Sequence, residues 1–236
     1  MTKRGQKFGK VLFVSMLLTL TIALGGCAGD KEEKGSSQVA TTPATEAGSE
    51  TAATETTDVA SQITIGIPQD MNSLDPNKAV GSGTQEILFN IYEGLYKPDS
   101  DGNLIPAVAS GYTVSDDGKT YTFTLRDGIK FHNGNPVTVE DVKYSIEKCA
   151  GNGTGEPLIS AFSIIESVET PDEQTVVINL SEPKDDFLAI VSTVTAAIVP
   201  ADVDDLETNP VGTGPYKFVS RSLQENVVLK KFDEYW

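Results

Sequence analysis

The chain has 236 residues, of which 39% are hydrophobic and 22% are charged, and its net charge is −16. This composition is typical of a folded protein and excludes a disordered one; the acidic balance repels phosphate backbones, so we expect no nucleic-acid partner. Two cysteines and one histidine are too few for a disulfide scaffold, a zinc cluster or an iron–sulfur site. We therefore predict no metal and no cofactor.

Residues 1–26 have the pattern of a secretory signal. A basic start is followed by Val11–Leu24, an uncharged apolar run of 14 residues, whereas spanning a hydrocarbon core takes about 20. The Leu-Gly-Gly-Cys sequence that ends at Cys27 resembles the lipobox of bacterial lipoproteins. In that family the peptide is cut before the cysteine, whose thiol carries a diacylglyceryl group. The resemblance implies that Cys27 is lipidated and binds the bilayer; an ordinary signal with a chance cysteine is the alternative.

The segment that follows, residues 27–61, is predicted to be a lipid anchor and a disordered tether. Residues 28–61 contain seven Thr, seven Ala, four Ser and seven acidic residues, and no aromatic residue. Such a stretch buries too little apolar surface to offset the entropy of ordering it. We expect it to hold a folded domain off a membrane, although a linker with no spacing role fits the same composition.

The remaining residues, 62–236, are predicted to form an α/β fold. Ile63–Ile67 alternates apolar and polar residues, which predicts a strand. A helical face is predicted over residues 87–95 from the spacing of its apolar positions, which are Ile87, Leu88, Ile91, Tyr92 and Leu95. A short helix is expected over residues 187–194, and strands are expected over 196–200, 215–220 and 226–232.

Two hairpins and one capped helix are the clearest local predictions. Tyr112 and Val114 face residues 121–125 across a Ser-Asp-Asp-Gly-Lys turn, and residues 164–170 pair with 175–180. Thr138 is a predicted N-cap with two acidic residues in the first turn, where carboxylates suit the helix dipole. The buried stripe of this helix includes Cys149, which we interpret as a small core residue without a disulfide partner.

No catalytic constellation is predicted, so we expect a protein that is not an enzyme. His132 is the single histidine, and its position in a turn after a strand favours a surface loop residue over a general base. The Asp99–Gly102 sequence lacks the distal glutamate of a calcium loop and is interpreted as a turn. Gly212-Thr213-Gly214 leads into a strand rather than a helix, so it does not match a phosphate-binding loop.

Several blocks in order resemble one family, the family 5 extracellular solute-binding proteins, which are the receptors of peptide, dipeptide and nickel ABC importers. The resemblance covers the whole predicted folded part. The matching blocks are Ser73-Leu-Asp-Pro76, Ile91-Tyr-Glu-Gly-Leu95, Ser115–Arg126, Phe131–Val142, Asn209–Phe218 and Phe232-Asp-Glu-Tyr-Trp236.

The resemblance implies a periplasmic-binding-protein-like type II fold, here incomplete. In the family, domain II is inserted within a discontinuous domain I, and a second ligand-clamping lobe follows. Carried onto this chain, residues 62–92 are the first part of domain I, 93–194 are domain II, and 195–236 are the second part of domain I. Family members are considerably longer, and we expect that the second lobe is absent here and that the chain is a fragment.

The function implied is that of a monomeric lipoprotein on the extracytoplasmic face of the cell membrane, which captures peptides and delivers them to an ABC permease. The family lines its cleft with main-chain groups at positions that match Val80, Gly81 and Ser82, and Thr213 and Gly214 are expected on the facing edge of domain I. Turn structure alone explains both segments equally well. A receptor for nickel or an oligosaccharide, or an adhesin or peptide sensor without transport, is the alternative.

A peptide clamp needs contacts from both of its lobes. With one lobe missing, a ligand loses contacts but keeps the entropic cost of binding. We therefore expect this chain to bind peptides no more tightly than about millimolar, roughly 4 kcal/mol.

Overall fold

Residues 62–236 are the part of the chain that the computed structural model describes. The predictions for the signal segment, for Cys27 and for the tether concern residues outside this range. Within residues 62–236, no helix combines the length and the apolar character that crossing a membrane requires.

The described residues form three helices and eight strands, joined by turns and two short 3₁₀ helices. The helices are α1 (Ser82–Leu88), α2 (Val139–Cys149) and α3 (Phe187–Ile190), and the 3₁₀ helices are Ser160–Ile164 and Val194–Ala196. The strands are β1 (Tyr96–Pro98), β2 (Leu104–Pro106), β3 (Ala109–Val114), β4 (Thr120–Leu125), β5 (Ile165–Glu169), β6 (Thr175–Leu180), β7 (Tyr216–Ser222) and β8 (Asn226–Lys231).

A four-stranded antiparallel sheet of order β3-β4-β6-β5 confirms both predicted hairpins. Tyr112 pairs with Phe123 across the first hairpin, and Val168 pairs with Ile178 across the second. Strands β4 and β6 then join the two hairpins edge to edge. The alternate residues Val176, Ile178 and Leu180 are buried, so one face of β6 packs into the core while the other remains partly exposed.

Helix α2 begins where the capping pattern predicts. The Thr138 side chain accepts from the Asp141 N–H, and the Asp141 carboxylate accepts from the Thr138 N–H, which is a complete capping box. The predicted apolar stripe is buried, including Val142 and Ile146, and α2 contacts β5 and β6. Cys149 ends the stripe with its Sγ 3.2 Å from the Thr195 carbonyl oxygen, so its prediction as a core residue is confirmed.

The buried apolar residues fall into two larger clusters. One contains the sheet and α2, from Leu95 to Val191, with Ile198 and Val211 added. The other contains residues 71–92 and 194–206, and partly buried side chains of β7 and β8 pack against it. The β7–β8 hairpin, which confirms the strands predicted near the end of the chain, thus packs against the segment around α1. The domain boundaries after residues 92 and 194 stay a prediction.

The strand predicted over Ile63–Ile67 is not formed in the described residues. Ile63 and Ile65 are 80% and 79% exposed, and none of strands β1–β8 pairs with the segment. A strand gains its stability from neighbouring strands, so alternation without a partner does not order this segment as β-structure.

The strand predicted over residues 196–200 is also wrong. Residues 194–196 form a 3₁₀ turn, and the buried run from Ala197 to Pro200 crosses the core without a ladder. Its amides bond singly instead, that of Ile198 to the Glu93 carbonyl at 2.9 Å and that of Val199 to the Ser145 hydroxyl at 3.0 Å. These partners belong to a turn and to a helix side chain rather than to a neighbouring strand. The apolar run therefore has no strand to pair with and is not a strand itself.

The helix predicted over residues 87–95 ends early. Its apolar positions Leu88, Ile91, Tyr92 and Leu95 are buried as predicted, but α1 stops at Leu88. The Asn90 and Ile91 carbonyls accept instead from the amides of Tyr216 and Gly214, both at 2.9 Å. Long-range pairing has replaced the helical bonds there. Helix α3 is likewise shorter than predicted, at four residues.

Candidate functional site

The loop from Val80 to Ser82 is exposed and leads directly into α1. Val80 is 71% exposed, and Gly81 adopts a φ of 94°, a left-handed conformation that side chains rarely take. The loop is held from behind by Asn72, whose Oδ1 accepts from the Val80 N–H at 3.1 Å and whose Nδ2 donates to the Lys78 carbonyl at 2.9 Å. These bonds leave the outer surface of the loop open to solvent.

The Gly212-Thr213-Gly214 segment lies elsewhere, buried against the chain that follows α1. A Cβ on Gly212 would lie 2.1 Å from the Ile91 carbonyl oxygen, and one on Gly214 would lie 2.6 Å from that of Asn90. Both positions therefore require glycine because two backbones meet there. Thr213 and Gly214, which the resemblance placed on the facing edge of domain I, are buried, and Val80 and Ser82 are exposed. That the two segments line one cleft stays a prediction.

Thr213 has no exposed surface, and its hydroxyl has no hydrogen-bond partner among residues 62–236. A buried polar group without a partner costs free energy. Direct contact between Thr213 and a ligand stays a prediction.

The His132 side chain is buried and hydrogen-bonded to the Gly212–Gly214 segment, so its prediction as a surface loop residue is wrong. It is 6% exposed, and its Nε2 lies 2.9 Å from the Gly214 carbonyl oxygen, while Nδ1 accepts from the Gly212 N–H at 3.4 Å. These contacts match the neutral tautomer with its proton on Nε2. Burial lowers the pKa of His132, although the bond to Gly214 opposes this shift. The ring edge also contacts Phe232, with 5.1 Å between centroids.

A groove of about 360 Å³ opens beside α1, and we call it the apolar groove. It lies between α1, the β1–β2 hairpin, the turn before the first 3₁₀ helix and the end of α3. Two of its side chains are exposed large hydrophobic residues, Phe89 at 37% and Ile159 at 40%. The lining residues are Gln85, Phe89, Pro98, Leu104, Ile159, Ala189, Ser192, Thr193, Val194 and Thr195.

The loop and the apolar groove share one face of α1. Ser82, Gln85 and Phe89 are spaced three and four residues apart, and Phe89 continues the helical conformation as the C-cap. Residues at this spacing lie above one another on a helix. A ligand that follows the outer surface of the loop therefore reaches the groove along this face.

Two of the four polar side chains that line the groove, Ser192 and Thr193, are bonded to the protein itself. The Ser192 hydroxyl donates to the Leu188 carbonyl at 2.6 Å, and the Thr193 hydroxyl donates to that of Ile190 at 2.9 Å. The Thr195 carbonyl already lies within bonding distance of Asn77 Nδ2 and Cys149 Sγ. This surface thus offers apolar contact, together with the side-chain amide of Gln85 and the hydroxyl of Thr195.

The described residues show no metal-binding arrangement, since residues 62–236 hold no group of three or more His, Cys, Asp or Glu side chains placed to bind an ion. The Asp99 carboxylate caps its own turn, accepting from the amides of Asp101 at 2.9 Å and Asn103 at 2.8 Å. The turn predicted there is confirmed.

A buried carboxylate that sequence reasoning missed joins the segment after α1 to the last residues of the described chain. Glu93, which is 3% exposed, accepts from Lys97 at 2.7 Å, from the Tyr235 hydroxyl at 2.7 Å and from the Trp236 indole at 3.1 Å. Arg126 stacks on the Trp236 ring at 3.9 Å. The motifs around residues 93 and 235 were recognised separately, and only the fold shows that they bind each other.

The groove residues were also missed, because nothing in their sequence spacing marks them as a set. Phe89 and Ile159 belong to segments 70 residues apart, and each directly follows another apolar residue, Leu88 and Leu158, so nothing local singles it out. A surface cavity assembled from such positions exists only after the chain has folded.

Comparisons with known proteins agree with this architecture. Residues 103–236 match the family model described as bacterial extracellular solute-binding proteins, family 5 Middle. The glutathione-binding protein GsiB of Salmonella paratyphi A is 33% identical over 182 residues, which are 75% of this chain and 36% of that protein. The chain thus spans about a third of the length of the curated relatives it matches.

Two solved structures illustrate the similarity of fold. The periplasmic binding protein AgaA of A. tumefaciens R10, in complex with agropinic acid, is 34% identical with a TM-score of 0.66, over 71% of this chain and 35% of that one. Haemophilus influenzae OppA in complex with RPPGFSPFR is 26% identical with a TM-score of 0.66, over 71% and 37%. The α/β fold predicted for residues 62–236 is confirmed as that of periplasmic binding proteins. The chain belongs to the family 5 bacterial extracellular solute-binding proteins.

Proposed function

We propose that this protein is the substrate-binding lipoprotein of an ABC importer, which captures peptides outside the cell and delivers them to the permease. The observation that carries the proposal is the exposed loop from Val80 to Ser82, which leads along one face of α1 to the apolar groove. In this proposal Cys27 anchors the protein to the outer face of the membrane, and the chain binds its ligand without chemical conversion.

The main chain of the loop supports binding of an extended ligand. The Val80 N–H is occupied by Asn72, whereas the N–H of Ser82, at the first position of α1, has no partner within the helix. Main-chain bonds give affinity that tolerates different side chains, as in other modes of strand recognition. Gly81 supports this role because it places no side chain beside the Ser82 N–H, at a position open enough that a Cβ would meet nothing within 4 Å.

The experiment removes one N–H group and leaves the helix intact. Proline is tolerated at the first helical position, where its missing N–H is unbonded and its φ is already suitable. The ψ of Gly81, 136°, also suits a residue that precedes proline. We expect Ser82→Pro to reduce uptake of a labelled tripeptide pool by cells that carry the gene, and Ser82→Ala, which keeps the N–H, to leave uptake near the wild-type rate.

The same cells separate the alternatives. If Ser82→Pro abolished uptake of nickel or of an oligosaccharide and left peptide uptake unchanged, the ligand would be that solute and not a peptide. Unchanged uptake of every solute after deletion of the whole gene would favour an adhesin or a sensor over an importer component. Glutathione, named for one relative, belongs among the peptides tested.

A further inference from the structure

We propose that the apolar groove is a side-chain pocket that selects an uncharged, apolar side chain of the ligand. The inference rests on the proposed function for the ligand's main chain, which follows the loop from Val80 to Ser82. It adds the chemical class of the group that lies next to that main chain.

Charge is the first argument. The whole chain has a net charge of −16. None of the described residues that line the groove is charged. A charged ligand group placed there would lose water without gaining a counter-charge, which is unfavourable, whereas an aliphatic or aromatic group would gain from leaving water.

Hydrogen bonding is the second argument. The hydroxyl donors of Ser192 and Thr193 are used on backbone carbonyls of their own segment. The other two polar side chains are Gln85, whose amide lies at the end of the groove nearest Ser82, and Thr195, whose hydroxyl lies at the α3 side. This arrangement suits a ligand whose polar backbone lies at the loop and whose apolar side chain points toward Phe89 and Ile159.

Geometry is the third argument. At 1.5 Å per residue, the groove begins at Gln85, about 4.5 Å from Ser82 along the helix axis, and extends to Phe89, about 10 Å from Ser82. A volume of about 360 Å³ is at the small end for ligand pockets. It suits one or two side chains rather than a whole ligand.

The test uses probes that differ only in their side chain, and it does not depend on uptake. The full 236-residue chain with Cys27→Ser is titrated with N-acetyl amides of leucine, phenylalanine, lysine and aspartate. Methyl NMR signals of Leu104, Ile159 and Val194 report the groove, and those of the exposed Ile63 report non-specific contact. We expect the leucine and phenylalanine probes to shift the groove signals with dissociation constants about tenfold lower than the charged probes.

Two variants add a charge to the groove, with a matched control outside it. Phe89→Lys is expected to reverse the preference toward the aspartate probe. Tyr112→Lys, at a side chain of similar exposure that does not line the groove (40% against 37%), is expected to leave the preference unchanged. Ala189→Lys adds the same charge at an exposed lining position and serves if the first variant fails to fold, which the signal of buried Ile178 reports.

Equal shifts from all four probes would overturn the selectivity, and no shift of the groove signals by any probe would overturn the pocket. Either result could accompany a loss of peptide uptake in Ser82→Pro, so the pocket can fail while the proposed function stands. Conversely, selective groove shifts with unaltered uptake in Ser82→Pro would remove the main-chain part of the proposal.

Discussion

The imidazole Nε2 of His132 lies 2.9 Å from the carbonyl oxygen of Gly214, a residue 82 positions later in the chain. With the bond between His132 Nδ1 and the Gly212 N–H, this contact fixes the glycine segment from one side. The backbone from Asn90 to Tyr92 fixes it from the other. The single histidine is thus a structural link between two distant blocks of the family's sequence pattern.

This link makes stability depend on pH. Burial lowers the pKa of His132 in the folded state, so the unfolded chain takes up the proton first as pH falls. The stabilisation that His132 provides is therefore complete above its pKa in the unfolded chain, about 6.5. It is lost as pH falls from there toward the pKa of the folded state.

We expect His132→Gln, which cannot take up a proton, to be less stable than wild type at pH 8 by about 1–3 kcal/mol. The difference should shrink at pH 5, measured by urea unfolding at both pH values. If the stability difference between the wild type and His132→Gln were the same at pH 8 and pH 5, the pKa of His132 would not differ between the folded and unfolded states.

Gly212→Ala should be strongly destabilising, because the added Cβ would lie 2.1 Å from the Ile91 carbonyl oxygen and two backbones would have to separate. We expect a loss of at least about 2 kcal/mol in the free energy of unfolding. The matched control is Gly83→Ala within α1, where a Cβ meets nothing within 4 Å. That change should raise stability by about 0.5–1 kcal/mol through helix propensity. Equal effects of the two changes would contradict the close approach.

Glu93→Gln should weaken the hydrogen bonds that connect residue 93 to Tyr235 and Trp236. Burial and then the hydrogen bond to Glu93 raise the pKa of Tyr235, which keeps that hydroxyl protonated as a donor. With the charge removed, Lys97 loses its ion pair, and we expect a loss of about 2–3 kcal/mol.

Trp236, the single tryptophan, gives a local measurement of this change. Its emission should shift to longer wavelength in Glu93→Gln as the indole gains exposure. The exposed Glu86→Gln on α1 is the control and should change neither the emission nor the stability. Unaltered emission and stability in Glu93→Gln would remove the carboxylate from this role.

Cys149 should be unreactive in the folded protein. Burial raises the pKa of its thiol to about 12, so very little thiolate forms at pH 8 and no reagent reaches it. In the Cys27→Ser variant, we expect a disulfide reagent such as DTNB to label one thiol in urea and essentially none in buffer. Rapid labelling in buffer would show that the α2 stripe opens readily.

Cys27 should carry the lipid that anchors the protein. Radiolabelled palmitate is expected to enter the wild-type protein in cells and to be absent from Cys27→Ser, which lacks the sulfur that is alkylated. Cys149→Ser is the control, and it should be labelled like the wild type. Equal labelling of the wild type and Cys27→Ser would refute lipidation at this position.

Local interactions allowed the sequence by itself to determine the hairpins and α2. The turn at residues 115–119 and the capping box of Thr138 and Asp141 are made by residues within a few positions of one another, so their patterns predict their structures directly. The six different blocks, in order along the chain, were enough to indicate the family, and with it the α/β fold.

The tertiary structure decided what depends on partners distant in sequence. Ile63–Ile67 alternates like a strand but has no neighbour in residues 62–236, and α1 stops where Gly214 and Tyr216 take the carbonyls that a longer helix would need. His132 is buried because Gly212 and Gly214 lie against it, which no local pattern signals. The apolar groove has the same origin: Phe89 and Ile159 come together only because the core brings α1 and the turn before the 3₁₀ helix side by side.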